Sequence, residues 1–134
     1  NAGTFNGHPI SMVAGLATIE VLETTNAYEV AIRASRRLTE GINDVLGRYG
    51  IDNVVNWVPT MLQVFFTKGD VVDHETASRS DAKLYLKLHE ELLKRGVFIA
   101  PSQFEAIFTS AAHDDNVIDE TLRQFEYVVK ELKH

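Results

Sequence analysis

The chain contains no cysteine, and that absence closes several routes at once. A disulfide framework, a thiolate metal site and a thiol nucleophile are all excluded, and the composition fits a reducing compartment. No stretch approaches the ~18 consecutive apolar residues that a membrane-crossing helix needs. The residues from Asn1 onward also lack the basic-then-apolar profile of a signal peptide. Basic clusters are equally scarce: the densest is Arg33, Arg36 and Arg37, in a chain of net charge -6. A nucleic-acid footprint requires a basic face that neutralises phosphates. The expectation is a cytoplasmic protein with no nucleic-acid partner and no membrane span.

Histidine is present but scattered. His8, His74, His89, His113 and His134 include no pair at i, i+3 or i, i+4, so no metal site is expected. His89 reads as a helix-surface residue and His113 as a turn residue. Glu90 with Glu91, and Asp114 with Asp115, are adjacent in sequence and point apart on a helix, which suits solvated faces or caps rather than a carboxylate dyad. A Ser-centred nucleophile elbow is missing too. The chain shows no self-contained catalytic apparatus.

What remains is a sequence of 134 residues, 45% hydrophobic and 24% charged, enough for one ordinary core. From Pro9, which suits the first turn of a helix, Ile10, Val13, Ala14, Ala17 and Val21 repeat at helical spacing. Met12, Leu16 and Ile19 widen that face, so the helix is expected to be buried on most sides. Thr24, Thr25 and Asn26 interrupt with N-cap chemistry. Ala27, Ala31, Ala34, Leu38, Ile42, Val45 and Tyr49 then predict a second helix, roughly 35 Å long at 1.5 Å per residue. That length suits a strut between two bodies better than one face of a compact core, and Gly50 closes it. Val54 to Val58 and Met61 to Thr67 predict an antiparallel pair turned by Pro59. Asp73 to Arg79 reads as a connection, and Ser80 as the cap of a helix carrying Leu84, Leu88 and Leu92 and stopped by Gly96. Val97 to Ile99 and Ala106 to Thr109 predict two short strands. Asp114 is expected to cap a last helix over Asp115 to Leu132. The sum is an α+β fold, a small antiparallel sheet with helices packed on one face, preceded by a long interdomain helix.

Two segments carry possible chemistry. In Gly3-Thr4-Phe5-Asn6-Gly7-His8-Pro9 the glycines let the backbone approach a ligand closely. Thr4 offers a hydroxyl, and a helix start follows, as in an anion site. In Ala100-Pro101-Ser102-Gln103-Phe104-Glu105-Ala106 a hydroxyl, an amide and an acid fall within four residues between two apolar strands. Taken alone, each also fits an ordinary loop or turn.

In this order, with Met12, Ala14, Gly15 and Leu16, Met61 to Phe66, Arg79-Ser80-Asp81, Leu93 to Gly96, and Ala112-His113-Asp114, these segments resemble the C-terminal portion of the glutamate-1-semialdehyde 2,1-aminomutase family. That family is a branch of the class III aminotransferases, fold type I pyridoxal 5'-phosphate enzymes. The resemblance covers nearly the whole chain. It implies that Gly3 and Thr4 bind the cofactor phosphate in the neighbouring subunit of a homodimer. It further implies that Glu105, with Ser102 and Gln103, lies on the side of a small-molecule substrate. Glu105 stands where many class III transaminases carry an Arg that grips an α-carboxylate. His8 and Asn6 depart from the commonest pattern, where Asn and Ser are frequent. The Schiff-base lysine lies upstream in this family, and none of Lys68, Lys83, Lys87, Lys94, Lys130 and Lys133 is assigned to that role. The implied organisation is 1–23 as the end of the cofactor-binding domain, 24–50 as a connecting helix and 51–134 as a small domain. The chain is then expected to be a fragment of a longer aminomutase acting in tetrapyrrole synthesis, itself inactive and self-associating. The competing readings are a piece of another class III aminotransferase and a stand-alone interaction module.

Overall fold

A computed structural model describes residues 2–133. Asn1, which opens the first loop, and His134 lie outside the described residues. The elements are α1 (Pro9–Thr24), α2 (Ala27–Arg48), β1 (Val54–Val58), β2 (Met61–Phe65), α3 (His74–Ala77), α4 (Ala82–Lys94), β3 (Ile107–Phe108) and α5 (Asp115–Leu132). The sheet order is β1-β2-β3 and all pairing is antiparallel.

Helix α2 presents an apolar stripe, Ala31, Ala34, Leu38, Ile42, Val45 and Leu46, that is buried along nearly its whole length. It packs on α5 and on the sheet, so it forms one face of the core rather than a free strut. Gly41 permits the close approach: a Cβ there would come within 2.5 Å of Leu122 on α5. Arg37 on α2 bridges to Asp115 at 2.7 Å and also pairs with Asp119, which ties the same helices at their rim. Tyr85, Leu88 and Leu92 of α4 and Ile118, Phe125, Val128 and Val129 of α5 complete the core with Leu62 and Val64 of β2.

Strand register separates two faces. Trp57 opposite Leu62 and Val55 opposite Val64 face the long helices, while Asn56 opposite Gln63 and Val54 opposite Phe65 face the other way. There Phe65, Val71 and Ala77 form a small second cluster. The hairpin turns at Pro59 and Thr60, and Thr60 has φ 66°, a left-handed value that disfavours a β-branched residue. Buried Ser35 on α2 holds it: its Oγ accepts from the Trp57 indole N–H at 3.0 Å and from Thr60 N–H at 3.3 Å.

Several expectations are corrected. Helix α1 buries none of its residues. Its apolar side chains point all round the axis, so no one face can be matched by α2. The stretch Asp73 to Arg79 holds a short helix, α3, set by a capping box in which Asp73 accepts from Thr76 N–H at 2.8 Å. Helix α4 is capped by Asp81, not Ser80. The Ser80 hydroxyl instead accepts from Phe66 N–H at 2.8 Å, closing the end of β2. Val97 to Ile99 forms no strand. Val97 N–H closes the end of α4 by bonding Leu92 O at 3.0 Å, with Gly96 at φ 80°, the two features of a Schellman cap. His89 is buried rather than on the surface, its Nδ1 2.8 Å from Ile99 O.

Candidate functional site

The opening loop is a turn followed directly by α1. Asn6 N–H donates to Gly3 O at 3.1 Å and His8 N–H to Phe5 O at 3.2 Å, while Gly7 at φ 74° reverses the chain. Pro9 takes the first helical turn, and His8, at the N-cap position, makes no side-chain cap. Gly3 and Thr4 are exposed. Neither the Thr4 N–H nor its hydroxyl has a partner among the described residues. An exposed backbone N–H, a hydroxyl and a helix start are what a phosphate needs, so the residues present fit the cofactor phosphate that the family resemblance implies.

The second segment is anchored to the sheet. Ser102 forms its turn: Phe104 N–H donates to Ser102 Oγ at 3.2 Å, and Glu105 N–H to Ser102 O at 3.1 Å. Glu105 is exposed, Ser102 is half-buried, and Gln103 is buried. The Gln103 carbonyl accepts from Gln63 Nε2 at 2.9 Å, and its side-chain Nε2 donates to Ala77 O at 3.2 Å. Phe104 stacks on His74 of α3, with ring centroids 5.2 Å apart. The turn thus borders a groove of about 320 Å³ across the face of the sheet turned away from the long helices, lined by Asn56, Gln63, Phe65, His74 and Phe104 among others. A more apolar groove of about 410 Å³ adjoins it through the shared residues Asn56, Gln63 and Ala106, with Trp57 and Met61 on its walls.

Tyr85 is buried on α4, beside Gln63 and within reach of the Glu105 charge. Burial pushes its phenol pKa up, the Gln63 amide draws it back down, and the Glu105 carboxylate adds to the rise. The hydroxyl is therefore held in its protonated form. Gln63 and Tyr85 escape a reading based on the turn alone. Gln63 leaves a signal, a polar residue inside the apolar run Met61 to Phe66. Tyr85 leaves none, because its spacing to Leu88 and Leu92 matches an apolar stripe.

Glu105, Ser102 and Gln103 are brought together in one turn, while Gly3 and Thr4 make no hydrogen bond to that turn among the described residues. His113 is a turn residue, its Nδ1 accepting from Ser110 N–H at 3.0 Å. Among the described residues no group of three or more His, Asp or Glu could hold a metal ion, and no helix is long and apolar enough to cross a membrane.

No family model matches the chain, but curated relatives do. Glutamate-1-semialdehyde 2,1-aminomutase of Hyperthermus butylicus is 59% identical over 99% of this chain and 31% of its own length. The protein of the same name from Sulfurisphaera tokodaii is 46% identical over 98% of the chain and 32% of its length. The chain therefore spans about 31% of the length of the relatives it matches. Among solved structures, an omega-transaminase from Sphaerobacter thermophilus superposes on 100% of the chain, and 30% of its own, with TM-score 0.81 at 20% identity. A glutamate-1-semialdehyde aminomutase from Pseudomonas aeruginosa PAO1 superposes on 80% of the chain, and 24% of its own, with TM-score 0.71 at 19% identity. The fold is that of the transaminases, and the identity runs along nearly the whole sequence: the chain belongs, as a C-terminal portion, to the glutamate-1-semialdehyde 2,1-aminomutase family of fold type I pyridoxal-phosphate enzymes.

Proposed function

We propose that the whole protein converts glutamate-1-semialdehyde to 5-aminolevulinate, a step of tetrapyrrole synthesis, and that this chain supplies two parts of its site. The observation that supports this most is the 59% identity over 99% of the chain to a protein of that name. Pyridoxal phosphate, when bound, supplies the electron sink for moving an amino group. Gly3 and Thr4 would hold its phosphate in the neighbouring subunit of a homodimer, using the exposed N–H and hydroxyl at the start of α1. Residues 1–23 then close the cofactor-binding domain, 24–50 connect, and 51–134 form the small domain, in a cytoplasmic enzyme.

Glu105 would face the substrate. An exposed carboxylate repels the α-carboxylate that an Arg would grip, which suits a catalyst that keeps one substrate and moves an amino group within it. Ser102 would orient Glu105 through the turn hydrogen bond to its N–H, and Gln103 would act from below. None of the chain's lysines is assigned as the Schiff-base residue, so the chain alone should show no turnover. The uniform apolar exposure of α1 supports a place beside further residues of a longer protein.

Full-length protein given the semialdehyde should form 5-aminolevulinate with no added amino donor. A strict requirement for a second amino acid would overturn the aminomutase reading in favour of an ordinary transaminase. Thr4→Val in the full-length protein should weaken cofactor retention, read by equilibrium dialysis, without altering the fold.

A further inference from the structure

Two amide oxygens beside the Glu105 turn, Gln63 Oε1 and Gln103 Oε1, are buried without a hydrogen-bond partner among the described residues. Their residues are 7% and 4% exposed and come from separate elements, β2 and the turn. An apolar side chain of the same size at either place would bury no orphan oxygen of its own, but it would take the donor away from the Gln103 carbonyl or from Ala77 O. What the glutamines add is direction. Gln63 Nε2 donates to the carbonyl of Gln103, and Gln103 Nε2 donates to Ala77 O at the end of α3. The same residue, two positions before Glu105, is thereby fixed through its backbone from the sheet and through its side chain from α3. Among the described residues β3 pairs only with Met61 and Leu62, so from Gln63 onward no strand ladder holds this turn, and these two bonds hold it instead, one to the sheet and one to α3.

We propose that Gln63 and Gln103 are positioning residues that set the place of the Glu105 carboxylate over the open face of the sheet. This rests on the reading that Glu105 faces the substrate. The unpaired oxygens are the cost of the arrangement: Gln63 donates to the turn and Gln103 donates from it to α3, and each acceptor is left over. Leucine would pack as well and leave the turn free to slide.

The test uses the full-length enzyme with Gln103→Met, and Gln63→Met as a second variant acting from the sheet side should the first fail to fold. Both keep volume and burial and remove the donor. Amide hydrogen exchange in a peptide spanning 101–108 should speed up about tenfold, as loss of one net hydrogen bond implies, while exchange around Val128 and Val129 stays unchanged. KM for the semialdehyde should rise with kcat nearly constant. Unchanged exchange in the turn, or an equal rise throughout the body, would overturn the proposal whatever the kinetics. Faster exchange confined to the turn with unaltered KM would uphold the positioning role and instead remove Glu105 from the substrate side.

Discussion

Helices α1 and α2 use much the same apolar residue types and end up in opposite surroundings. In α2 the apolar residues make one stripe, and that stripe is buried from Ala31 to Leu46 against α5 and the sheet. In α1 Ile10, Val13, Leu16 and Ile19 are scattered around the axis, and each stays more than half exposed. A stripe can be satisfied by one neighbour, whereas a helix that is apolar all round needs several. The stripes of α2, α4 and α5 meet one another and the sheet within residues 27–133; α1 makes demands that α2 alone does not meet.

The comparison breaks if a core position of the body proves as tolerant as α1. Leu88→Ala, at a side chain with 0% exposure, should destabilise the chain by about 3–5 kcal/mol through lost burial and a cavity. Leu16→Ala, at 65% exposure, should change stability by less than about 0.5 kcal/mol. Paired urea melts of the chain decide this, and similar midpoints for the two variants would refute it. A smaller effect comes from the polar clamp between α2 and the hairpin. Ser35→Ala removes the acceptor shared by Trp57 Nε1 and Thr60 N–H. It should cost about 1–3 kcal/mol and shift Trp57 fluorescence. A loss below about 0.5 kcal/mol would mean that those donors find other partners.

The same contrast explains which parts were legible before the structure. Helices α2, α4 and α5 and the hairpin follow from period and turn chemistry, and Asp114, Gly50 and Gly96 end or start them where such residues should. Burial of α1 did not follow, because all-round hydrophobicity reports a demand for neighbours without saying where they are. The missed α3 is four residues long and set by the Asp73 and Thr76 pair, too short for any periodic signal. The strand expected at Val97 to Ile99 has the right composition, but the cap of α4 and His89 take its backbone groups first. At the candidate site Glu105, Ser102 and Gln103 were legible as a polar insertion between apolar runs. That Gln103 turns inward was not, because its partners Gln63 and Ala77 lie 40 and 26 residues away.

The α1 side of the comparison sharpens through solubility. Ile10→Lys with Leu16→Lys should leave the melt of the isolated chain unchanged within about 0.5 kcal/mol and lower its tendency to self-associate, because a contiguous apolar surface is broken. Light scattering over a concentration series reads this. In the full-length protein the same pair should destabilise. Equal behaviour in both contexts would mean that α1 is as uncovered there as it is here.

The smallest effect is expected in α3, where the body is least cored. The Asp73 carboxylate is held below the usual aspartate range, first by the Thr76 backbone N–H and then by the Thr76 hydroxyl. A pKa depressed on folding stabilises the native form above the ordinary aspartate value, and that contribution fades as the pH falls through the lower, native value. Acid should therefore loosen α3, and with it the turn stacked through His74 on Phe104, before the core of α2, α4 and α5 opens. Amide exchange at Ala77 and Ser78, followed downward from about pH 6, should accelerate while that of Val128 holds, since only the cap is lost as the carboxylate protonates. Asp73→Asn retains an N-cap acceptor but cannot titrate, so its α3 should exchange at a rate independent of pH beyond the intrinsic chemistry. An asparagine variant that opens in acid just as the wild type does would assign the loosening to other carboxylates and detach α3 from the control of the turn.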